Sequence, residues 1–225
     1  GIPSHDTFRR VIASIQPDDF ERRFQRWTQA IAENSDEKVI AVDGKTLRRS
    51  FDHANAKAAI HLVSAWACDN KMVFGQIATA EKSNEITAIP KLLEMLVLEG
   101  SVVTIDAMGC QKKIAETIKK SGGDYIFSLK GNHGTLHDEV KLFLDDAIAN
   151  DRHEDVHQTV DGGHGRVEVR NIWYSENVHW IRDLSQWPGL SSVAAVESQR
   201  TCGGKTSIER RYFMSSLSNI TAETI

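Results

Sequence analysis

"VIAVDGKTLRRSF", Val39 to Phe51, joins a run of small and β-branched residues to an aspartate, a glycine and then the cations Lys45, Arg48 and Arg49. The continuous apolar content of "KVIAVD" (Lys38 to Asp43) reads as a buried strand ending in an acid. A carboxylate there costs free energy unless a cation, a metal or a turn shares it. "SVVTID", Ser101 to Asp106, has the same form. For one isolated acid the plain reading is a turn cap or a partner for Lys45 or Lys130. Two acids ask whether their strands are neighbours, so the elements between them decide the fold.

"AAIHLVSAWAC" (Ala58 to Cys68) and "MVFGQIAT" (Met72 to Thr79) flank "DNK", a connection of hairpin length, and with the first strand they predict an antiparallel meander. "NEITAIPKLLEMLVLEG" predicts an amphipathic helix over Asn84–Gly100, with Ser83 as N-cap and Gly100 as stop. A helix over Gln111–Lys120 and a strand over Asp124–Leu129 follow. The order is β-β-β-α-β-α-β, an α/β (α+β mixed sheet) arrangement of the RNase H-like kind. In that order the first strand is central and pairs in parallel with the strand after the first helix, so Asp43 and Asp106 come close together. Parallel crossovers also predict that the later strands are buried on both faces.

The flanks differ in character. Residues 4 to 33 carry two apolar helical faces, Phe8, Val11, Ile12 and Ile15, then Phe20, Phe24, Trp27 and Ile31, with Pro17 near the start of the second helix. They read as a docking or DNA-binding prefix. A helix spans about Thr135 to Ala149, and two hairpins around Gly162–Gly163 and Gly203–Gly204 form a β-rich insertion against the core sheet. The expected organisation is a helical segment over 1–36, a catalytic core over 37–150, an insertion over 151–217, and a helix start over 218–225.

The 225 residues allow a core that needs no disulfide or metal, and 40% hydrophobic with 26% charged residues is ordinary for a globular chain. No apolar run approaches the roughly 18 residues of a membrane span. Cys68, Cys110 and Cys202 lie far apart, suggesting neither a disulfide framework nor a zinc knuckle, and a reducing, cytoplasmic setting fits. The net charge of −4 makes any nucleic-acid footprint regional. The opening "GIPSHDTF" lacks an initiator methionine and the close "SSLSNITAETI" begins a helix that does not follow, so the chain reads as a fragment.

Two like charges at short range are unstable alone, and a divalent ion is the usual resolution. Oxygen-only ligation points to magnesium, with manganese as substitute. Two such ions roughly 4 Å apart would serve a phosphodiester displacement. Lys45, Arg48, Arg49 and Lys130 are candidate phosphate contacts, with a solvated turn as the competing reading for Arg48 and Arg49. "KGNHG" (Lys130 to Gly134), with Asn132 inside it, could bind a phosphate at a helix N-terminus. His133 and His137 have helical spacing but no HExxH context and read as a solvated pair. In "GGHGRVEVR", Arg166 and Arg170 share strand parity and so one face, suited to tracking a DNA backbone or simply to hairpin solubility. Glu168, Glu197 and Glu209 read as hairpin acids or partners of nearby arginines, and Trp66, Trp173 and Trp180 as core.

"GIPSHDTFRRVIASI", "VIAVDGKTLRRSFD", "HLVSAWACDNKMVFGQIATAEKSNEITAIPKLLEML", "VTIDAMGCQKKIAETI", "DYIFSLKGNHGTLHDEV" and "GHGRVEVR" together resemble the H repeat-associated insertion-sequence transposases. The resemblance implies a bacterial DDE-type transposase with an RNase H-like catalytic core and a β insertion before the last catalytic helix. It makes Asp43 and Asp106 the first two catalytic, metal-holding acids. The third would be a glutamate after "YFMSSL", in a segment of form R-x-H-W-x-I-E-N, expected beyond Ile225. "HWIRDL" (His179 to Leu184) shares only His-Trp with that segment and has Arg182 and Asp183 where Ile-Glu is needed. The implied partners are insertion-sequence ends and target DNA, bound by a homodimer or larger assembly. The alternatives are an inactive DNA-binding remnant and a structural interaction module.

Overall fold

The computed structural model describes residues 2–32, 39–47, 50, 59–79, 84–163 and 165–225. Its centre is a nine-stranded mixed sheet in the order β3-β2-β1-β4-β5-β9-β8-β7-β6. β1 (Val39–Thr46), β2 (His61–Ala67) and β3 (Met72–Thr79) form the expected antiparallel meander. After α3 (Glu85–Leu93), β4 (Val102–Ile105) returns parallel to β1; after α4 (Lys112–Lys120), β5 (Asp124–Leu129) adds parallel to β4. This is the order of an RNase H-like core with β1 at its middle.

α5 (Thr135–Ala149) leads to β6 (Asp155–Gly163), β7 (Arg166–Ser175), β8 (Ser192–Cys202) and β9 (Lys205–Ser215), each antiparallel to the next. β9 pairs antiparallel with β5, so this unit extends the core sheet instead of packing against it. The physical reason is the free edge of β5, whose backbone donors and acceptors β9 satisfies.

One face of the sheet carries the core. Ile40, Val42, Val103, Ile105, Tyr125, Phe127 and Leu129 are buried in one cluster with Leu92 and Leu93 of α3, Ile114 and Ile118 of α4, and Val140 and Leu144 of α5. Each such side chain contributes about 1.5–3 kcal/mol when fully buried. The opposite face alternates with it and is only half-buried at Val39, Ala41, Val102, Thr104, Ile126 and Ser128. Burial of β4 and β5 on both faces is therefore corrected: α3, α4 and α5 all pack on the same side. Trp66, expected in the core, lies on the uncovered face and is 42% exposed.

Several boundaries differ from the sequence reading. β1 does not end at Asp43 but runs on to Thr46. α3 stops at Leu93, where the chain tightens into i→i+3 bonds from Met95 to Leu92 and from Leu96 to Leu93, and Gly100 (φ +73°) serves the turn before β4. Asn84, without a side-chain cap bond, holds the N-cap place, and Ser83 lies outside the described residues. The first hairpin turns beyond Gly162–Gly163, which belong to β6; the second turns at Gly203–Gly204 with φ +56° and +75°, the left-handed pair that matches strand twist.

The prefix forms α1 (His5–Ser14) and α2 (Pro17–Ala32), with Pro17 at the first helical position. α1 buries nothing, while α2 docks on β3 through the buried Thr28 hydroxyl, which donates to the Phe74 carbonyl at 3.0 Å. Near the other end, Thr221 to Thr224 make a single turn, and the Ala222 amide donates to Asp155 at 2.6 Å.

Candidate active site

Parallel register places Val42 opposite Ile105, and the next positions along are Asp43, still within β1, and Asp106, the first residue after β4 ends. Alternation turns both away from the core and onto the uncovered face, beyond Ala41 and Thr104, and both are exposed. Among the described residues the Asp43 side chain has no hydrogen-bond or ion-pair partner. Its neighbour is different: Asp106 Oδ1 accepts from the Met108 amide at 3.0 Å and the Gly109 amide at 3.3 Å. Asp106 thus caps a turn with one oxygen, and among the described residues nothing bonds the other, so the capping and ligand readings are compatible.

The Asp106 turn is held from two sides. A Cβ on Gly109 would lie 2.2 Å from Ile105 Cγ2, so only glycine lets the turn sit against the strand end. From the β5–α5 connection, Asn132 Nδ2 donates to the Ala107 carbonyl at 2.8 Å and the His133 ring lies 3.0 Å from the same oxygen. "KGNHG" therefore braces the second acid. His133 is committed to that brace, and His137 packs edge-on against Tyr212 with ring centroids 5.7 Å apart, so the two histidines are not a solvated pair. The signal available in sequence was the asparagine-histidine step between two glycines, which a phosphate loop would also present.

Lys45 follows Asp43 by two residues on the same strand face and is exposed. Lys130 continues the Ile126, Ser128 face of β5 in extended backbone and is exposed as well. Arg48 and Arg49 lie outside the described residues. Pairing of Ser128 with Phe213, and onward through Val196 with Arg211, Ser198 with Glu209 and Arg170 with Ser198, carries the acid-bearing face out to the hairpins. Arg166 and Arg170 sit on that face, as do Arg200 and Arg211. Arg170 is engaged by Asp161 at 2.8 Å and Glu168 at 2.5 Å, and Arg211 by Glu209 at 2.8 Å, so acids temper this basic strip.

Other acids serve structure. Arg210 bridges Asp145 of α5 and Glu197 of β8, each at 2.6 Å, over the Trp173 ring. In "HWIRDL", Trp180 stacks on Phe143 at 4.6 Å and Arg182 pairs with Glu139 at 3.0 Å, so the segment packs with α5 against the core and not on the face that carries Asp43. Among the described residues no three His, Cys, Asp or Glu side chains gather as a metal site, so the fit to a divalent ion is that of two carboxylates alone. No described helix is long and apolar enough to cross a membrane.

Comparison with known proteins adds the family. The model of the "Transposase DDE domain" family matches residues 34–184. An uncharacterised protein encoded in the dhlA 3' region of Xanthobacter autotrophicus is 44% identical over 218 residues, covering 96% of this chain and 73% of that one. The Escherichia coli K12 protein named "H repeat-associated putative transposase YhhI" is 41% identical, covering 99% of this chain and 60% of its own length. YbfD of the same strain, likewise H repeat-associated, is 47% identical over 172 residues, 76% of this chain and 67% of its own. A solved piggyBac transposase synaptic complex with hairpin DNA aligns over 81% of this chain and 34% of that one, at 10% identity and a TM-score of 0.41, too slight a likeness to carry an argument.

Proposed function

This chain belongs to the transposase DDE domain family, among the H repeat-associated members, and we propose that Asp43 and Asp106 are two of the acids of a metal-dependent phosphodiester-transfer site. The observation that supports the reading is the Val42–Ile105 register, after which both strands next present an aspartate on the same exposed face, with the Asp43 carboxylate unpartnered among the described residues. The chain spans about three fifths to three quarters of the length of the relatives it matches, so the activity of a whole transposase is part of the proposal.

In this reading Asp43 and the free oxygen of Asp106 hold the ion. When bound, Mg²⁺, or Mn²⁺ in its place, would supply positive charge to the phosphate oxygens and lower the pKa of the attacking hydroxyl. The oxygen of water attacks the phosphorus at the element's end, the bond to the 3′ oxygen breaks, and a 3′ hydroxyl is freed. That hydroxyl then attacks a target phosphodiester, forming one P–O bond as another breaks. The third carboxylate belongs in this proposal to a helix beyond Ile225. Lys45 and Lys130, flanking the acids on the same face, position the phosphate; Arg166 and Arg170 bind the DNA backbone farther along it without reading sequence. Arg48 and Arg49 would add to the same contact, and Asn132 contributes by holding the Asp106 turn.

The test is Mn²⁺ binding by calorimetry to the parent and to the Asp43→Asn/Asp106→Asn double variant, both shown to be folded. Binding that disappears in the variant supports the two-acid site. Equal binding in both overturns it and favours a module whose acids only shape turns, a reading that draws on the Asp106 cap.

A further inference from the structure

Behind Asp43, on the core side of β1, lies a buried hydrogen bond between a carboxylate and an imidazole. Glu85, in the first turn of α3, is 5% exposed and His61, at the start of β2, is 3% exposed. His61 Nε2 bonds Glu85 Oε1, and its Nδ1 lies 2.8 Å from the Thr46 hydroxyl, with Thr46 and His61 also in register. A carboxylate only accepts, so Nε2 carries the proton; the Thr46 hydroxyl can give to or take from Nδ1. The pair is therefore satisfied whichever way that hydroxyl turns. Among the described residues no other carboxylate is buried, and an apolar pair would fill the space at lower desolvation cost.

The carboxylate is aimed at a particular place. A Cβ on Gly44 would meet Glu85 Oε1 at 2.3 Å, so the residue after Asp43 is glycine because the acid lies against its Cα. Beyond Val42 the strand has lost β4 and, among the described residues, pairs only with β2, from Asp43 opposite Ser64 to Thr46 opposite His61. Glu85 closes on this overhang from the core side, at Gly44 directly and at Thr46 through His61. We propose that Glu85 and His61 are positioning residues that fix the overhanging end of β1 so that the Asp43 carboxylate stays beside Asp106. The inference rests on the two-acid reading for its purpose, not for its geometry.

The experiment compares the parent with Glu85→Ala and Glu85→Gln by hydrogen exchange of peptides spanning Asp43–Thr46, by Mn²⁺ calorimetry and by thermal unfolding without metal. Glutamine keeps an acceptor for His61 in the same volume. Loss of the buried hydrogen bond in Glu85→Ala should speed exchange at Asp43–Thr46 by about tenfold or more, leave Val103 and Phe127 unchanged, and weaken Mn²⁺ binding by a similar factor. Glu85→Gln should restore both. Unchanged exchange at Asp43–Thr46 in Glu85→Ala, or a uniform rise over β1, β4 and β5 with unaltered Mn²⁺ affinity, overturns the proposal. If Glu85→Ala does not fold, a Glu85→Gln protein with parental exchange but no Mn²⁺ binding also overturns it, and one with parental values of both supports it. A parent that binds no Mn²⁺ sinks the two-acid reading, while the exchange result still decides whether the pair holds the strand end.

Discussion

The Asn132 side-chain amide donates to the Ala107 carbonyl at 2.8 Å, tying the β5–α5 connection to the turn that Asp106 caps. Asn132→Ala removes one such bond and should cost about 1 kcal/mol in urea unfolding. Asn132→Asp should cost more, since it sets an acceptor against a carbonyl. Under the two-acid reading both weaken Mn²⁺ binding without touching a ligand, and parental affinity in both would show the brace to be idle.

Gly109 has no room for a methyl group, because its Cβ would sit 2.2 Å from Ile105 Cγ2 and 3.0 Å from Ile89 Cδ1. Both neighbours are core side chains with nowhere to move. Gly109→Ala should destabilise the fold by about 1–3 kcal/mol through overpacking, and part of the loss should be relieved by adding Ile105→Leu, which keeps the volume but has no second branch at Cβ and so removes the clashing Cγ2. Thermal unfolding of the single and double variants checks this.

Arg210 joins α5 to the outer strands, with Asp145 and Glu197 each at 2.6 Å and the Tyr212 hydroxyl donating to Asp145 at 2.7 Å. Removing the guanidinium in Arg210→Ala strands two half-buried carboxylates, and roughly 2 kcal/mol is expected, less than for a fully buried pair because water reaches this one. Arg210→Lys should recover only part of it, since one ammonium cannot fork to both acids. Denaturant midpoints separate the three proteins.

Alkaline pH should unfold the protein in a definite window. Burial pushes the Cys110 thiol from 9.0 up to about 12. Burial first, with the Asp145 hydrogen bond adding, pushes Tyr212 from 10.0 up to about 12, and burial does the same for Tyr174. The fold favours the protonated, neutral forms, so their contribution is complete below pH 9 and is lost as pH rises from about 9 to about 12. Stability measured by urea should be level on the acid side of that window and fall across it. Thiol labelling at pH 8 should find Cys202 reactive, being exposed, and Cys110 silent until unfolding.

If the hairpin face binds DNA, Arg166→Ala/Arg170→Ala should weaken binding of unrelated duplexes alike and reduce the slope of log affinity against log salt by about 2, roughly one for each phosphate contact. A loss confined to one sequence would mean base readout instead. Titrations at several salt concentrations distinguish the two.

Local chemistry made much of this molecule legible in its sequence. Apolar runs marked β1, β4 and β5, the helical period of Thr135–Ala149 fixed α5, and the Gly203–Gly204 pair placed a turn where positive φ was needed. The element order then implied that Asp43 and Asp106 share a sheet end. Those features follow from side-chain period and backbone sterics, which act over a few residues.

What tertiary structure alone decided depends on which groups meet across long separations. Nothing local says that β9 takes the free edge of β5, that all three core helices choose one face and leave Trp66 and the two acids on the other, or that "KGNHG" spends its asparagine on Ala107. Glu85 looked like an ordinary first-turn acid, and only packing put it against Gly44 and His61, residues 41 and 24 positions away in the chain. Burial and hydrogen-bond satisfaction are properties of the whole assembled sheet, so their outcome is written in the sequence but cannot be read from any one stretch of it.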